Sequence, residues 1–439
     1  MKLAKKIILG GVGLAVVLGA GFFAATYRAA IAPLQAIPVQ DFTVEQVAKG
    51  KTLVSMGDCA VCHTAKGGKE NAGGFPMPSP FGTIYSTNIT PDAETGIGNW
   101  SYEAFERAMR HGIDREGRHL YPAFPYTAFT RVTDEDMHSI YAYLMTQPAV
   151  KSDAPKTALN FPYNIRQGIA LWNWKYLTPG PVAPVAEQTP EWNRGVYIAE
   201  GLGHCSACHT PRDGFSGEKK GLLHLTGGSA EGWDAPALTS ATASPLPWTA
   251  EDLMQYFRTG FSERHGVAAG PMAPVAHGLA QQSDEDLKAL TTYLMSFKDA
   301  KAEPGDAAAL VSKAHEARNV PMDTQGLRLY EGACMSCHSS DVKNQLTDTN
   351  FGSRPQLALN TNMHAASANN AVRALLEGIQ SPAHADLGTM PSMRHALSDQ
   401  QIAALLNAMR AQYGQPEWQN LQATVAQIRK ETDPANAHH

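Results

Sequence analysis

All six cysteines of this 439-residue chain fall into three runs of one pattern: Cys59-Ala-Val-Cys62-His63, Cys205-Ser-Ala-Cys208-His209 and Cys334-Met-Ser-Cys337-His338. Two thiols separated by two residues, with a histidine directly after the second, is the spacing of covalent c-type heme attachment. The thiols add across the vinyl groups of the porphyrin, and the adjacent imidazole falls beneath the ring as proximal ligand to iron. One run alone would also suit a redox dithiol or half of a zinc site. Three runs with no spare cysteine argue against both, because zinc would need pairs from different domains to converge. The sequence therefore predicts three covalent hemes, with His63, His209 and His338 on iron.

A six-coordinate iron needs a second ligand, often methionine. It should come from the loop before the last helix of each repeat. Met272 in Gly270-Pro271-Met272-Ala273-Pro274 fits that place downstream of His209. Met390 in Thr389-Met390-Pro391 fits it downstream of His338, with Met393 as runner-up. In the first repeat the same place holds Phe124, which cannot ligate iron. Met109 stands where the other repeats carry Phe257 and Leu375, so methionine and phenylalanine look exchanged between two heme-facing positions. Met109 is then the expected ligand. The alternatives are an open first iron or His119.

Other chemistry is poorly supported. Charge is 36 Lys+Arg against 41 Asp+Glu, a net −5 with no basic stripe, which argues against a nucleic-acid partner. There is no Ser-His-Asp, Walker or dinucleotide-binding pattern, and no catalytic residue is assigned. Histidines 111, 138, 224 and 277 are scattered and read as solvated surface groups.

The motifs begin at Cys59, Cys205 and Cys334, a separation that gives each one domain of ordinary size. Gly50, Gly195 and Gly326 precede the motifs, and each is expected to open a short helix. Thr133, Ser283 and Ser398 begin capping-box-like starts of closing helices with apolar residues at helical period. Long Gly/Pro-rich loops such as 73–98 need something to wrap around, which a large apolar cofactor supplies. The expected fold is mainly α: three tandem class I cytochrome c domains behind an N-terminal transmembrane helix. Expected boundaries are an anchor at 1–33, domains at 40–150, 187–300 and 319–430, an aromatic Pro-rich linker at 151–186 and a polar linker at 301–318.

Three lysines precede an uncharged run from Ile7 to Tyr27. As a helix it measures about 31 Å, enough for a hydrocarbon core of about 30 Å. It exceeds the apolar stretch of a signal peptide and lacks a clean small-residue cleavage site, so it reads as a retained anchor. Cleavage is the competing reading. Both place the bulk of the chain in the periplasm, on the inner membrane if the anchor is kept.

Beyond the motifs, the chain resembles the triheme cytochrome c subunit of the membrane-bound alcohol and aldehyde dehydrogenases of acetic-acid-type bacteria. It is also similar to the cytochrome subunits of gluconate and fructose dehydrogenases. The resemblance rests on Pro80-Phe-Gly82, Thr87-Asn-Ile-Thr-Pro-Asp92, Thr95-Gly-Ile-Gly98 with Trp100, the 120–126 run, Asn160-Phe-Pro-Tyr163 and Trp192-Asn-Arg-Gly195, in that order along one chain. It covers nearly the whole exported part. It implies an electron-transfer subunit that takes electrons from a molybdopterin- or PQQ-type catalytic chain and delivers them to ubiquinone. Two departures stand out. Alcohol-dehydrogenase partners usually carry Met at the place of Phe124; Phe looks more like subunits serving molybdenum-type aldehyde or N-heterocycle oxidoreductases. Ala408 stands where the other closing helices have Tyr143 and Tyr293. The first departure turns the expected substrate toward aldehydes. A subunit of a quinoprotein alcohol dehydrogenase, a heme peroxidase with an open first iron, and a freestanding electron carrier are the alternatives.

Overall fold

The computed structural model describes residues 2–35, 41–299, 305–318, 324–338, 356–380 and 388–433. They form two compact units, 1–183 with 200–204, and 184–199 with 205–439. Strands are short everywhere described, two to four residues each.

The first unit begins with α1 (Lys2–Thr26), which is followed by α2 (Val44–Met56) and the motif helix α3 (Cys59–His63). Thr43 and Gln46 close a reciprocal capping box at the start of α2. The loop after α3 carries β1 (Pro76–Ser79) and β2 (Gly82–Tyr85), antiparallel with Met77 opposite Ile84, and β3 (Ala158–Leu159) adds to the free edge of β2. Then come α4 (Tyr102–His111), α5 (Tyr126–Phe129), α6 (Asp134–Met145) and α7 (Ile169–Tyr176). Ala104, Phe105, Ala108 and Met109 form the buried stripe of α4, and Met137, Ile140 and Leu144 that of α6.

The second unit holds two further repeats of this plan. The first contains α8 (Pro190–Tyr197), the motif helix α9 (Ser206–His209), α10 (Ala250–Thr259), α11 (Met272–Leu279) and α12 (Asp284–Met295). After α13 (Ala307–Arg318) the next contains α14 (Gln325–Leu329), the motif helix α15 (Met335–His338), α16 (Thr361–His364), α17 (Asn369–Glu377), α18 (Asp399–Gln412) and α19 (Leu421–Glu431). Within the linker expected at 301–318, the chain is helical from Ala307 onward, with Val311 packed against Leu246 and Leu359. Its polar composition hides an apolar spacing at 307, 310, 311 and 314 that suits one helix face.

The expectation for the three glycines needs correction. They do not open helices: Gly50 and Gly195 lie inside α2 and α8, and Gly326 is the second residue of α14. Their work is close approach. A β-carbon at Gly50 would stand 1.9 Å from the carbonyl oxygen of Ser139, and one at Gly326 would stand 2.1 Å from that of Ala404. The first helix of each repeat thus crosses the closing helix at backbone contact, which fixes where the motif that follows must lie.

A guanidinium braces each closing helix. Arg110 donates to the carbonyls of Thr130 and Val132 at 2.8 and 2.9 Å and to Asp134 at 2.6 Å. Arg258 does the same with Ala280 and Gln282, at 2.8 and 2.9 Å, and with Asp284. The third repeat has Leu376 at that position, and the brace comes from α19: Arg429 donates to the Leu397 carbonyl at 2.9 Å and to Asp399 at 2.6 Å.

Candidate heme sites

Each motif folds as a single helical turn, so its two cysteines, three apart, share a face. All six thiols are free of disulfides, and five of them are half-buried. Burial, then the neighbouring Asp58 and Cys62, pushes the Cys59 thiol up to about 12, so it stays protonated. Asp58, itself in the left-handed region at φ 51°, is pushed up to about 7 by burial.

The histidines carry the clearest sign of their task. His63 Nδ1 lies 2.5 Å from the carbonyl oxygen of Thr87, and His209 Nδ1 lies 2.7 Å from that of Pro236. A carbonyl can only accept, so each Nδ1 holds the proton and each Nε2 presents its lone pair. Burial lowers both pKa values, which keeps the rings neutral. An imidazole tethered by Nδ1 beside two thiols on one helical turn fits a heme iron ligand. The His63 carbonyl accepts from Gly73 at 2.7 Å and the His209 carbonyl from Gly227 at 2.8 Å, so the chain leaves both motifs along the same path. Thr64 and Thr210 brace that path, each hydroxyl accepting a loop amide, at 3.1 and 3.0 Å. Residues 339–355, after the third motif, lie outside the described residues.

Further along each repeat, α4, α10 and α17 end at Gly112, Gly260 and Gly378, with φ of 61°, 71° and 75°. The chain then returns through a short antiparallel bridge: Ile113 with His119, Phe261 with Val267, Ile379 with Met390. Phe124 and Met272 both stand five positions past this bridge, so they occupy the same place. Met272 begins α11 behind Pro271. Met390 stands in the bridge itself, and Met393 follows shortly after with its amide on the Leu375 carbonyl at 2.7 Å. Both methionines pack half-buried on the core that also takes Cys334. Met109, Phe257 and Leu375 each sit one turn before the glycine cap, 5–6% exposed. Phe124 rests on the Phe129 ring at 5.5 Å. His119 donates through Nε2 to the Thr26 carbonyl at 2.9 Å, so its lone pair lies on the buried Nδ1.

One cluster escaped the sequence reading. Ser244 Oγ, His265 and Asp252 form a hydrogen-bonded line at 2.8 and 3.2 Å, with Trp248 stacked 3.8 Å from His265. Asp252 also closes the capping box of α10 with Thr249, and His265 is buried. The line seals a loop onto a helix start. Three separate segments supply it, so no motif announces it.

Three Cys-x-x-Cys-His turns, each set after a helix that crosses a closing helix at a glycine, define a multiheme c-type cytochrome, with heme c at Cys59/Cys62, Cys205/Cys208 and Cys334/Cys337. Residues 47–148 and 324–411 match the Cytochrome c family. A subunit of the nicotinate dehydrogenase of Pseudomonas putida is 46% identical over 406 residues, 92% of this chain. The chain spans a third (33%) of that protein's length. The fructose dehydrogenase cytochrome subunit of Gluconobacter japonicus is 38% identical, over 87% of this chain and 81% of its own. The cytochrome c subunit of alcohol dehydrogenase (quinone) from Gluconobacter oxydans is 33% identical, over 85% and 80%. The chain belongs to the family of multiheme cytochrome c subunits of membrane-bound dehydrogenases, and its function is electron transfer.

Proposed function

We propose that the chain takes electrons from a molybdopterin-type catalytic chain that oxidises an aldehyde or an N-heterocycle, and delivers them to ubiquinone. The observation that carries the reading is the Nδ1 tether of His63 and His209, which orients two imidazoles toward iron in the first two motifs. Heme iron, when bound, supplies reversible one-electron exchange. The chain's own residues do the rest. The cysteine pairs fix the ring, and His63, His209 and His338 ligate from the proximal side. Met109, Met272 and Met390 are the sixth ligands, soft donors that favour ferrous iron. Phe124, together with similarity to a nicotinate dehydrogenase subunit, supports the molybdenum-type partner over the PQQ type.

α1 holds the protein to the inner membrane on the periplasmic side. Its Leu9–Thr26 stretch is long and apolar enough to cross a bilayer. This is where ubiquinone is available.

The test is purification of the matured protein from detergent-solubilised membranes. The intact mass should exceed the polypeptide by three heme units. A catalytic chain should accompany it, and its substrate should reduce all three hemes. Fewer hemes, or no accompanying chain, would contradict the reading. A second reading rests on Phe124 in the place of Met272: an open first iron acting on peroxide. Carbon monoxide binding by the reduced wild-type protein would favour it.

A further inference from the structure

Outside α1, five of the large apolar side chains most open to solvent cluster in one short segment: Phe161, Tyr163, Ile165, Leu171 and Trp174, between 48 and 86% exposed. α7 is apolar on two sides. Its inner side is committed: Asn173 accepts from the Tyr126 hydroxyl at 2.6 Å, and Trp172 meets the Tyr126 and Tyr176 rings. Its outer side shows Leu171 and Trp174, at 60 and 86% exposure, where a helix facing water would carry charge. From residue 157 to 184 there is no Asp or Glu, and Arg166 and Lys175 are the two charges. Exposed tryptophan and tyrosine with long cations and no acid is the composition of a membrane-interface segment.

Its place in the first unit agrees. Thr26 ends the apolar stretch of α1. The Thr26 carbonyl accepts from His119 at 2.9 Å, and the His119 carbonyl accepts from Arg166 at 2.9 Å. His119 alone thus separates the end of α1 from the segment. The chain leaving α1 is fastened as well. Arg107 donates to the Ala29 carbonyl at 2.8 Å, Ile31 donates to the Arg115 carbonyl at 2.9 Å, and Leu34 donates to that of Asn99 at 2.8 Å. α1 therefore sets the height and tilt of these side chains above the bilayer. Each headgroup layer is about 5–8 Å deep, roughly the reach of one such side chain.

We propose that residues 161–176 are a second membrane contact, a phospholipid-interface surface that lies in the headgroup layer beside the exit of α1. The inference rests on the reading of α1 as an anchor. Leu171 and Trp174 enter the acyl boundary, while the exposed Lys175 reaches the phosphates. The first unit then lies flat against the membrane instead of swinging on a tether.

The test uses spin labels on the full, heme-loaded chain in phosphatidylethanolamine–phosphatidylglycerol vesicles. The native thiols are consumed by heme, so an introduced cysteine is the single reactive one. Labels go at Trp174→Cys, at Leu171→Cys as a second reporter, at Leu18→Cys within α1, and at Leu222→Cys, an exposed site at 98%. Collision with lipid-soluble oxygen is compared with collision with a water-soluble nickel chelate. The proposal expects labels at 171 and 174 to favour oxygen several-fold over the label at 222. Equal nickel access at 174, 171 and 222 overturns it, whatever position 18 reports, since that label reads the anchor separately. Labels at 171 and 174 that are shielded only when the catalytic chain is added also overturn it, assigning the surface to a protein partner.

Discussion

Gly195 lies against the backbone of Ala289: a β-carbon at position 195 would stand 2.1 Å from the Ala289 carbonyl oxygen and 2.6 Å from Cβ of Tyr293. Backbone has no far end to swing aside, so the two helices must part. Gly195→Ala should destabilise the second repeat by about 2–3 kcal/mol. Gly50→Ala should do the same to the first. Thermal unfolding followed by heme absorbance measures both. An unchanged midpoint would show that the helices can separate without loss.

The brace from α19 has a consequence of its own. Arg429→Ala leaves the Leu397 and Arg394 carbonyls and the Asp399 carboxylate without their donor. Stability should fall by about 2–4 kcal/mol, since partners left behind cost more than the bond was worth. Truncation before α19 should be at least as damaging. Chemical denaturation of both variants would show it, and a silent Arg429→Ala would mean water replaces the guanidinium at no cost.

The sixth ligands separate cleanly by substitution. Met272→Ala should lower one of three midpoint potentials, by a share of the roughly 0.8 V range that axial ligands span. It should also create one carbon monoxide site in the reduced protein. Met109→Ala should do likewise at the first heme and Met390→Ala at the third, with Met393→Ala silent. Redox titration with carbon monoxide difference spectra decides each case. If Met390→Ala is silent and Met393→Ala is not, the ligand lies just past the bridge.

Lys298 donates to the Thr239 carbonyl at 3.3 Å, and burial lowers its ammonium to about 8 from 10.5. Between these values the unfolded chain holds more protons than the folded one, so this group adds stability as pH rises from about 8 to 10.5. Lys298→Met should therefore be more stable than wild type at neutral pH, and the gain should shrink across that window. Denaturation midpoints of the pair at several pH values check it. A gain that does not change with pH would mean that the charge costs nothing where it sits.

Much of the site was legible in the sequence because heme attachment is local chemistry. Two thiols and an imidazole must share one helical turn, so Cys59, Cys62 and His63 are neighbours in sequence as well as in space. The capping residues Thr133, Ser283 and Ser398 were legible for the same reason: each accepts from an amide of the first helical turn that follows it. The role of Gly50, Gly195 and Gly326 was not legible, since the carbonyls they approach, those of Ser139, Ala289 and Ala404, lie on helices far along the chain. Nor was the choice of Thr87 and Pro236 to hold the histidines, because a carbonyl carries no side-chain signature. The third repeat makes the point most plainly. Sequence reports that an arginine is missing at Leu376; the tertiary fold supplies Arg429 from α19, because a donor from any element that reaches the carbonyl just before the cap and the first-turn carboxylate satisfies them.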